Sequence, residues 1–189
     1  VERSDGKGYY SAPTRHGSEK DEQRYIEMQQ KLVHYIQLIA RWNKTFNLTA
    51  IRDVEDMVSK HLLDSLVIQP YVEGKSVLDV GSGAGLPGIP LAIARPGNQF
   101  VLLDSNGKKT RFVSQVVAEL GLANVEVIRR RAEQLERPQH YACITSRAFA
   151  TLADMVEKTA HLLAPDGCWL AMKGAQPTRE QVELPPGLA

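Results

Sequence analysis

Cysteine is nearly missing from this sequence: there are two in 189 residues. That excludes a fold stapled by disulfides. Cys143 and Cys168 each lie inside an apolar run and read as small buried hydrophobes of a reducing compartment. No apolar run approaches the roughly 18 residues of a membrane-spanning helix, and no signal peptide is recognisable. These absences lead to the expectation of a cytoplasmic protein with no membrane partner. No Cys/His spacing suggests a metal site. Internal repeats and low-complexity tracts are absent. Excess charge is lacking too. The formal net charge is +1, so any grip on nucleic acid must come from local basic patches.

What remains is ordinary for a globular protein: 43% hydrophobic and 24% charged residues. The length suits one domain, or one domain with an appendage. A monomer is expected. Residues 1–18 are polar and aperiodic and read as a disordered or artificial tail.

Periodicity divides the rest. Met28, Leu32, Tyr35, Ile36, Ile39 and Trp42 fall at helical spacing within 21–42. A second helix is expected after Asp53, a candidate N-cap, with Pro70 as its stop. Residues 19–73 therefore read as a helical N-terminal cap. Beyond Gly74 the pattern changes to short apolar runs bounded by turns: 76–80, 99–104, 124–128, 141–145 and 168–172. Helical stretches at 88–94, 108–120 and 152–163 separate most of them. Continuous apolar strands alternating with helices predict an α/β, doubly wound parallel sheet over 74–189.

In such folds the ligand sits by the first strand-to-helix turn. Here that turn is "DVGSGAGLPGIP", with Gly81, Gly83 and Gly85 at alternate positions. The dinucleotide fingerprint G-x-G-x-x-G places its third glycine at position 86, which is Leu86. No lysine–serine pair follows, so it is not a Walker phosphate loop. The pattern D-x-G-x-G-x-G resembles the first motif of S-adenosyl-L-methionine-dependent methyltransferases. Bare backbone suits the amino-acid end of that cofactor, with Asp79 near enough to orient its ammonium. Asp104, closing the second strand, suits the ribose hydroxyls. Ala132 and Glu133, after the third strand, suit the adenine edge.

Taken together, "RWNKTFNLTAIRD", "HLLDSL", "DVGSGAGLPGIPLA", "LLDSNGKKTRF" and "SRAFATL", in this order, resemble the RsmG (GidB) family of bacterial 16S ribosomal RNA guanine-N7 methyltransferases. The resemblance runs from about Tyr25 to Gly174. It implies a class I, Rossmann-like methyltransferase fold, S-adenosyl-L-methionine as methyl donor, and a guanine of small-subunit 16S rRNA as acceptor. Family cofactor contacts map onto Gly81, Leu86, Ala132 with Glu133, and Arg147. Family members continue into a final antiparallel strand pair, which is expected to be missing here.

Guanine N7 carries no proton at neutral pH, so positioning alone is expected to drive transfer, with no proton-transfer residue. His61, Asp64 and Ser65 supply the residue types of a hydrolase triad. They lie within one helical turn, and Ser65 is on no nucleophile elbow. Asn47, Arg52, His61 and Asp64 are instead candidates for the substrate-RNA side, with Lys108 and Lys109 as phosphate contacts. Arg41, Lys44, Arg111 and Arg129–Arg131 extend the basic clusters. Trp42, Phe46 and Phe149 are candidate base stackers, Trp42 more naturally core. The residues alone leave open a small-molecule methyltransferase, a nucleotide-dependent oxidoreductase and a non-enzymatic RNA-binding module.

Overall fold

The computed structural model of the chain describes residues 18–136, 140–149 and 151–172. The expectations for the N-terminal tail up to residue 17, and for the sheet beyond residue 172, lie outside these residues. Ser18, read as tail, instead caps the first helix. Its hydroxyl accepts from the Asp21 N–H while the Asp21 carboxylate accepts from the Ser18 N–H, a reciprocal capping box. That cap starts α1 (Glu19–Phe46) earlier than its apolar stripe announces.

The second helix is composite. α2 (Val54–Met57) is capped by Asp53 as expected, its carboxylate accepting from the Glu55 and Asp56 N–H groups. A π-helical turn, Val58–Leu63, follows, and then α3 (Asp64–Leu66). Helix proper thus stops before Pro70, which sits in a 3-10 turn, Gln69–Tyr71.

Five strands follow: β1 (Ser76–Val80), β2 (Gln99–Asp104), β3 (Val125–Arg129), β4 (Tyr141–Ser146) and β5 (Leu163–Ala171). Their order is β3-β2-β1-β4-β5 and every pairing is parallel. β5 begins at Leu163 rather than Cys168. Between Leu163, opposite Tyr141, and Cys168, opposite Cys143, the ladder is broken by a bulge. The intervening Pro-Asp-Gly is a turn signal, which is why it reads as loop. α4 (Gly88–Ala94), α5 (Gly107–Leu120) and α6 (Leu152–Thr159) cross between strands, and α6 tightens into a 3-10 turn, Ala160–Leu162.

The strand period of two sorts the core onto two faces. Val77 joins Tyr35, Ile39, Ile89, Leu102 and Phe112 beneath α1, α4 and α5. Leu78 and Val80 point the other way, to Ile144, Met155 and Leu162 beneath α6. Each fully buried leucine or isoleucine contributes roughly 1.5–3 kcal/mol. Trp42 packs against the first cluster, 5.1 Å from the Phe46 ring and 5.4 Å from Phe112. The strand order, not the strand direction, reverses between β1 and β4, which puts the crevice at their carboxyl ends.

Candidate active site

Two clefts open at that crevice, and Gly81 and Ala148 line both. Gly81 follows β1 directly. Its φ is +70°, and a β-carbon there would lie 2.5 Å from the Ala148 side chain, so only glycine fits. The Gly81 and Ser82 N–H groups both donate to the Leu103 carbonyl, at 2.8 and 3.1 Å, pinning the turn to β2.

The larger cleft, about 320 Å³, holds Asp104, Ala132, Glu133 and Phe149 around Gly81. Asp104 is buried at the end of β2. One carboxylate oxygen accepts from the Gly83 N–H at 2.9 Å and the other from the Asn106 N–H at 2.7 Å. These bonds fix the carboxylate and leave it further lone pairs for a ligand. Lys158 lies over the Phe149 ring, 5.9 Å from its centre.

The smaller cleft, about 170 Å³, is walled by Leu48, Thr49, Gly83, Leu86 and Arg147. Arg147 follows β4. Its Nη2 lies 3.2 Å from Asp64 Oδ2 and donates to the Lys60 carbonyl at 3.5 Å. Its Nη1 is buried and has no partner among the described residues. A buried guanidinium nitrogen without an acceptor is costly, and an anionic ligand group would satisfy it.

The expected site residues therefore divide. Gly81, Gly83, Leu86, Asp104, Ala132, Glu133 and Arg147 all line the clefts. Asp79 does not. Its carboxyl is fully buried behind the loop, accepting from the Gly88 N–H at 2.9 Å and the Thr145 hydroxyl at 3.3 Å. Burial pushes its pKa up to about 7, against the opposing pull of Gly88, Thr145 and Arg147. The strand alternation that buries Val77 with the first cluster also carries Asp79 to that face, so it shapes the loop from behind. His61 is buried and lines neither cleft. Arg52 is committed to the chain itself, donating to the Asn43 carbonyl at 3.1 Å and to Asn47 Oδ1 at 2.7 Å. Lys108 is exposed at the start of α5. Lys109 Nζ lies 3.9 Å from the place a Gly83 β-carbon would occupy.

Three residues were not read as site residues in the sequence. Tyr35, fully buried on α1, donates to the Ala84 carbonyl at 2.8 Å and so supports the glycine loop. Asn43 is also buried on α1, and it organises the loop 47–53 through Thr49 and Ile51. A polar residue on the apolar stripe of an amphipathic helix was the available signal. Thr49 itself forms cleft wall.

A parallel 3-2-1-4-5 sheet, a glycine turn after β1 and an acid at the end of β2 define the class I methyltransferase fold. Solved structures agree on that fold. Coclaurine N-methyltransferase bound to N-methylheliamine and SAH superposes with a TM-score of 0.54 at 18% identity, over 79% of this chain and 50% of that one. Precorrin-6y C5,15-methyltransferase from Geobacter metallireducens GS-15 gives 0.53 at 14% identity, over 74% and 71%. More specifically, the family model GidB, described as rRNA small subunit methyltransferase G, matches residues 28–187. Proteins named ribosomal RNA small subunit methyltransferase G are similar at 54% identity in Legionella pneumophila, over 81% of this chain and 74% of that protein, and at 57% in Nitrosococcus oceani, over 82% and 72%. The chain belongs to the GidB family, and it is a methyltransferase that uses S-adenosyl-L-methionine.

Proposed function

We propose that the protein methylates N7 of a guanine in a loop of 16S rRNA within the small ribosomal subunit. The observation that carries this reading is the pair of clefts meeting at Gly81. The larger takes the nucleoside of the methyl donor. There Asp104 accepts the ribose hydroxyls, and Ala132 and Glu133 meet the adenine edge. The smaller takes the amino-acid end and the target base. There Gly81, Gly83 and Leu86 give a bare, close-fitting floor, and the unpartnered Nη1 of Arg147 takes a carboxylate. Asp79 acts from behind the loop, and Asp64 holds Arg147 in place.

When bound, the cofactor supplies an electrophilic methyl group on a sulfonium sulfur. Gly81, Gly83, Leu86, Asp104 and Arg147 would hold it, and because guanine N7 carries no proton at neutral pH, no residue of the chain would have to take one. The chain's task would be to position N7 against that methyl group. Lys108 and Lys109 contact phosphates beside the mouth, while Asn47 and Arg52 shape the loop on the opposite side. The helical cap of residues 19–73 forms that side, and the protein acts as a cytoplasmic monomer. Among the described residues no helix is long and apolar enough to cross a membrane.

The test supplies methyl-labelled donor with small subunits lacking N7-methylguanine, and with naked rRNA and transfer RNA alongside. Strand scission at N7-methylguanine maps the label. Label at one guanine of the small-subunit RNA is expected. Label on transfer RNA alone, or none despite tight S-adenosylhomocysteine binding, overturns the substrate. Failure to bind S-adenosylhomocysteine overturns the reading of Gly81–Gly85.

A further inference from the structure

Thr49 closes one side of the smaller cleft. The loop that carries it is fastened to α1 by Asn43. Asn43 Nδ2 donates to the Ile51 carbonyl at 3.0 Å, and its Oδ1 accepts from the Thr49 N–H at 3.0 Å. Thr49 Oγ1 accepts from the Ile51 N–H at 3.2 Å and lies 3.0 Å from His61 Nε2. His61 sits in the π-helical turn.

Chemistry assigns the proton in the Thr49–His61 contact. His61 Nδ1 is 3.1 Å from the Lys60 carbonyl, which can only accept. Nδ1 therefore carries the ring hydrogen. In the neutral imidazole Nε2 must then accept, so the Thr49 hydroxyl hydrogen points to His61. One lone pair of Oγ1 is committed to Ile51. Only the second lone pair remains for a ligand. A hydroxyl ordinarily offers a donor or an acceptor as needed. This one is restricted to accepting.

We infer that Thr49 is a specificity-determining residue that accepts a hydrogen bond from an N–H on the base edge of the target guanine, and that His61 is the positioning residue that keeps Thr49 an acceptor. The inference rests on the smaller cleft being the base site. Guanine presents N1–H and N2–H donors side by side, whereas adenine offers an N–H only at N6 and a bare acceptor at N1, so an acceptor facing position 1 separates the two bases. Methylation at N7 leaves the base positively charged and makes its N–H groups stronger donors. The contact therefore strengthens as the methyl is transferred, which is the condition for helping the rate. The cofactor's ammonium is the other N–H donor near this wall, and the experiment separates the two.

Acid reverses the arrangement. Protonated His61 donates through Nε2 to Thr49 Oγ1, and the Thr49 hydrogen must turn toward the cleft. The groups acting on His61 are Arg147 from the end of β4, Asp64 on its own segment and the Lys60 carbonyl beside it. Burial, helped by Arg147, holds its pKa below the usual histidine value, against Lys60 and Asp64. Loss of activity is therefore expected only below about pH 6.5.

The experiment measures kcat/KM for small subunits between about pH 5 and pH 8, together with S-adenosylhomocysteine affinity. It uses wild type, Thr49→Val and Thr49→Ser. His61 titration in the wild type is followed by NMR. Thr49→Val is expected to lose about ten- to a hundredfold in kcat/KM, to bind S-adenosylhomocysteine as wild type does, and to lack the acid limb. Thr49→Ser restores most of the activity and the limb. Equal activity in Thr49→Val, or a limb that persists in it, overturns the inference. So does a matching drop in S-adenosylhomocysteine affinity, which assigns Thr49 to the cofactor. If Thr49→Val does not fold, the wild-type limb must still coincide with the His61 titration, and a mismatch overturns the inference. Wild type that labels no guanine sinks the functional reading itself. An active wild type with an indifferent Thr49 sinks only this assignment.

Discussion

Asp79 and Gly83 are only four positions apart, yet one guards the back of the loop and the other its open face. Asp79 keeps a carboxyl where water does not reach, and burial raises its pKa from 3.8 to about 7. Between those values the folded chain binds a proton that the unfolded chain has released. Stability therefore falls as pH rises across that window. Asp79→Asn keeps an acceptor for the Gly88 N–H and removes the titration. It should remove a slope of up to about 1.4 kcal/mol per pH unit. Denaturant midpoints of both proteins at pH 5 and pH 7 check this, and parallel slopes would show that Asp79 is already ionised at the lower pH. Gly83 has φ +59°, and a β-carbon there meets only the Gly81 carbonyl at 3.8 Å and Lys109 Nζ at 3.9 Å. Gly83→Ala should cost about 1–2 kcal/mol in backbone strain. Its methyl projects where ligand must lie, so S-adenosylhomocysteine affinity, read by calorimetry, should fall more than tenfold; undiminished affinity removes Gly83 from the floor of the site. At this scale the glycines and Asp104 were legible because their spacing is itself the signal. Asp79 was not, because the face a strand residue takes depends on which neighbours cover it. Thr49 was not, because its partner His61 is twelve positions away and reaches it only once the loop has folded back.

Elements were legible where local chemistry sets their ends. Asp53 starts α2, and Gly121, at φ +61°, ends α5. The apolar strands gave the parallel sheet, since only a sheet covered on both faces needs residues such as Leu78, Leu102 and Ile144 in unbroken runs. The π-helical turn was not legible, because periodicity read from apolar positions assumes a constant helical step. The start of β5 was hidden by its own turn residues. α5 offers the test at this scale. Its N-cap, Asn106, accepts from the Lys108 and Lys109 N–H groups at 2.9 and 3.3 Å. Those two bonds fix the first turn of α5, which carries both lysines. Asn106→Ala should destabilise the protein by about 1 kcal/mol, and Asn106→Asp much less, because a carboxylate caps equally well. Equal losses in chemical denaturation would mean that the cap bonds are not what holds the helix start.

A net charge of +1 conceals an uneven molecule. Both flanks of the site looked basic in sequence, and they differ once folded. On the side of the N-terminal helices, Arg52 is tied to Asn43 and Asn47, and Arg41 faces Glu119 at 3.8 Å. At the start of α5 and the end of β3, Lys108, Lys109, Arg111 and Arg129 make no ion pair among the described residues. The Arg129 guanidinium lies against Gly107, on the first turn of α5, so β3 and α5 present their cations as one ridge. Cations without internal partners are the ones that release counterions when phosphate arrives. Replacing Lys108 and Arg111 by alanine should therefore weaken rRNA binding at low salt and flatten the log–log salt dependence by about 0.7–0.9 for each phosphate contact removed. Arg52→Ala should leave that slope unchanged, and its effect should appear instead as lower stability of the loop carrying Thr49. Binding titrations over a range of salt separate the two flanks. A slope that drops for Arg52→Ala and not for the α5 pair would move the RNA to the other side of the cleft and make the ridge a solvated face.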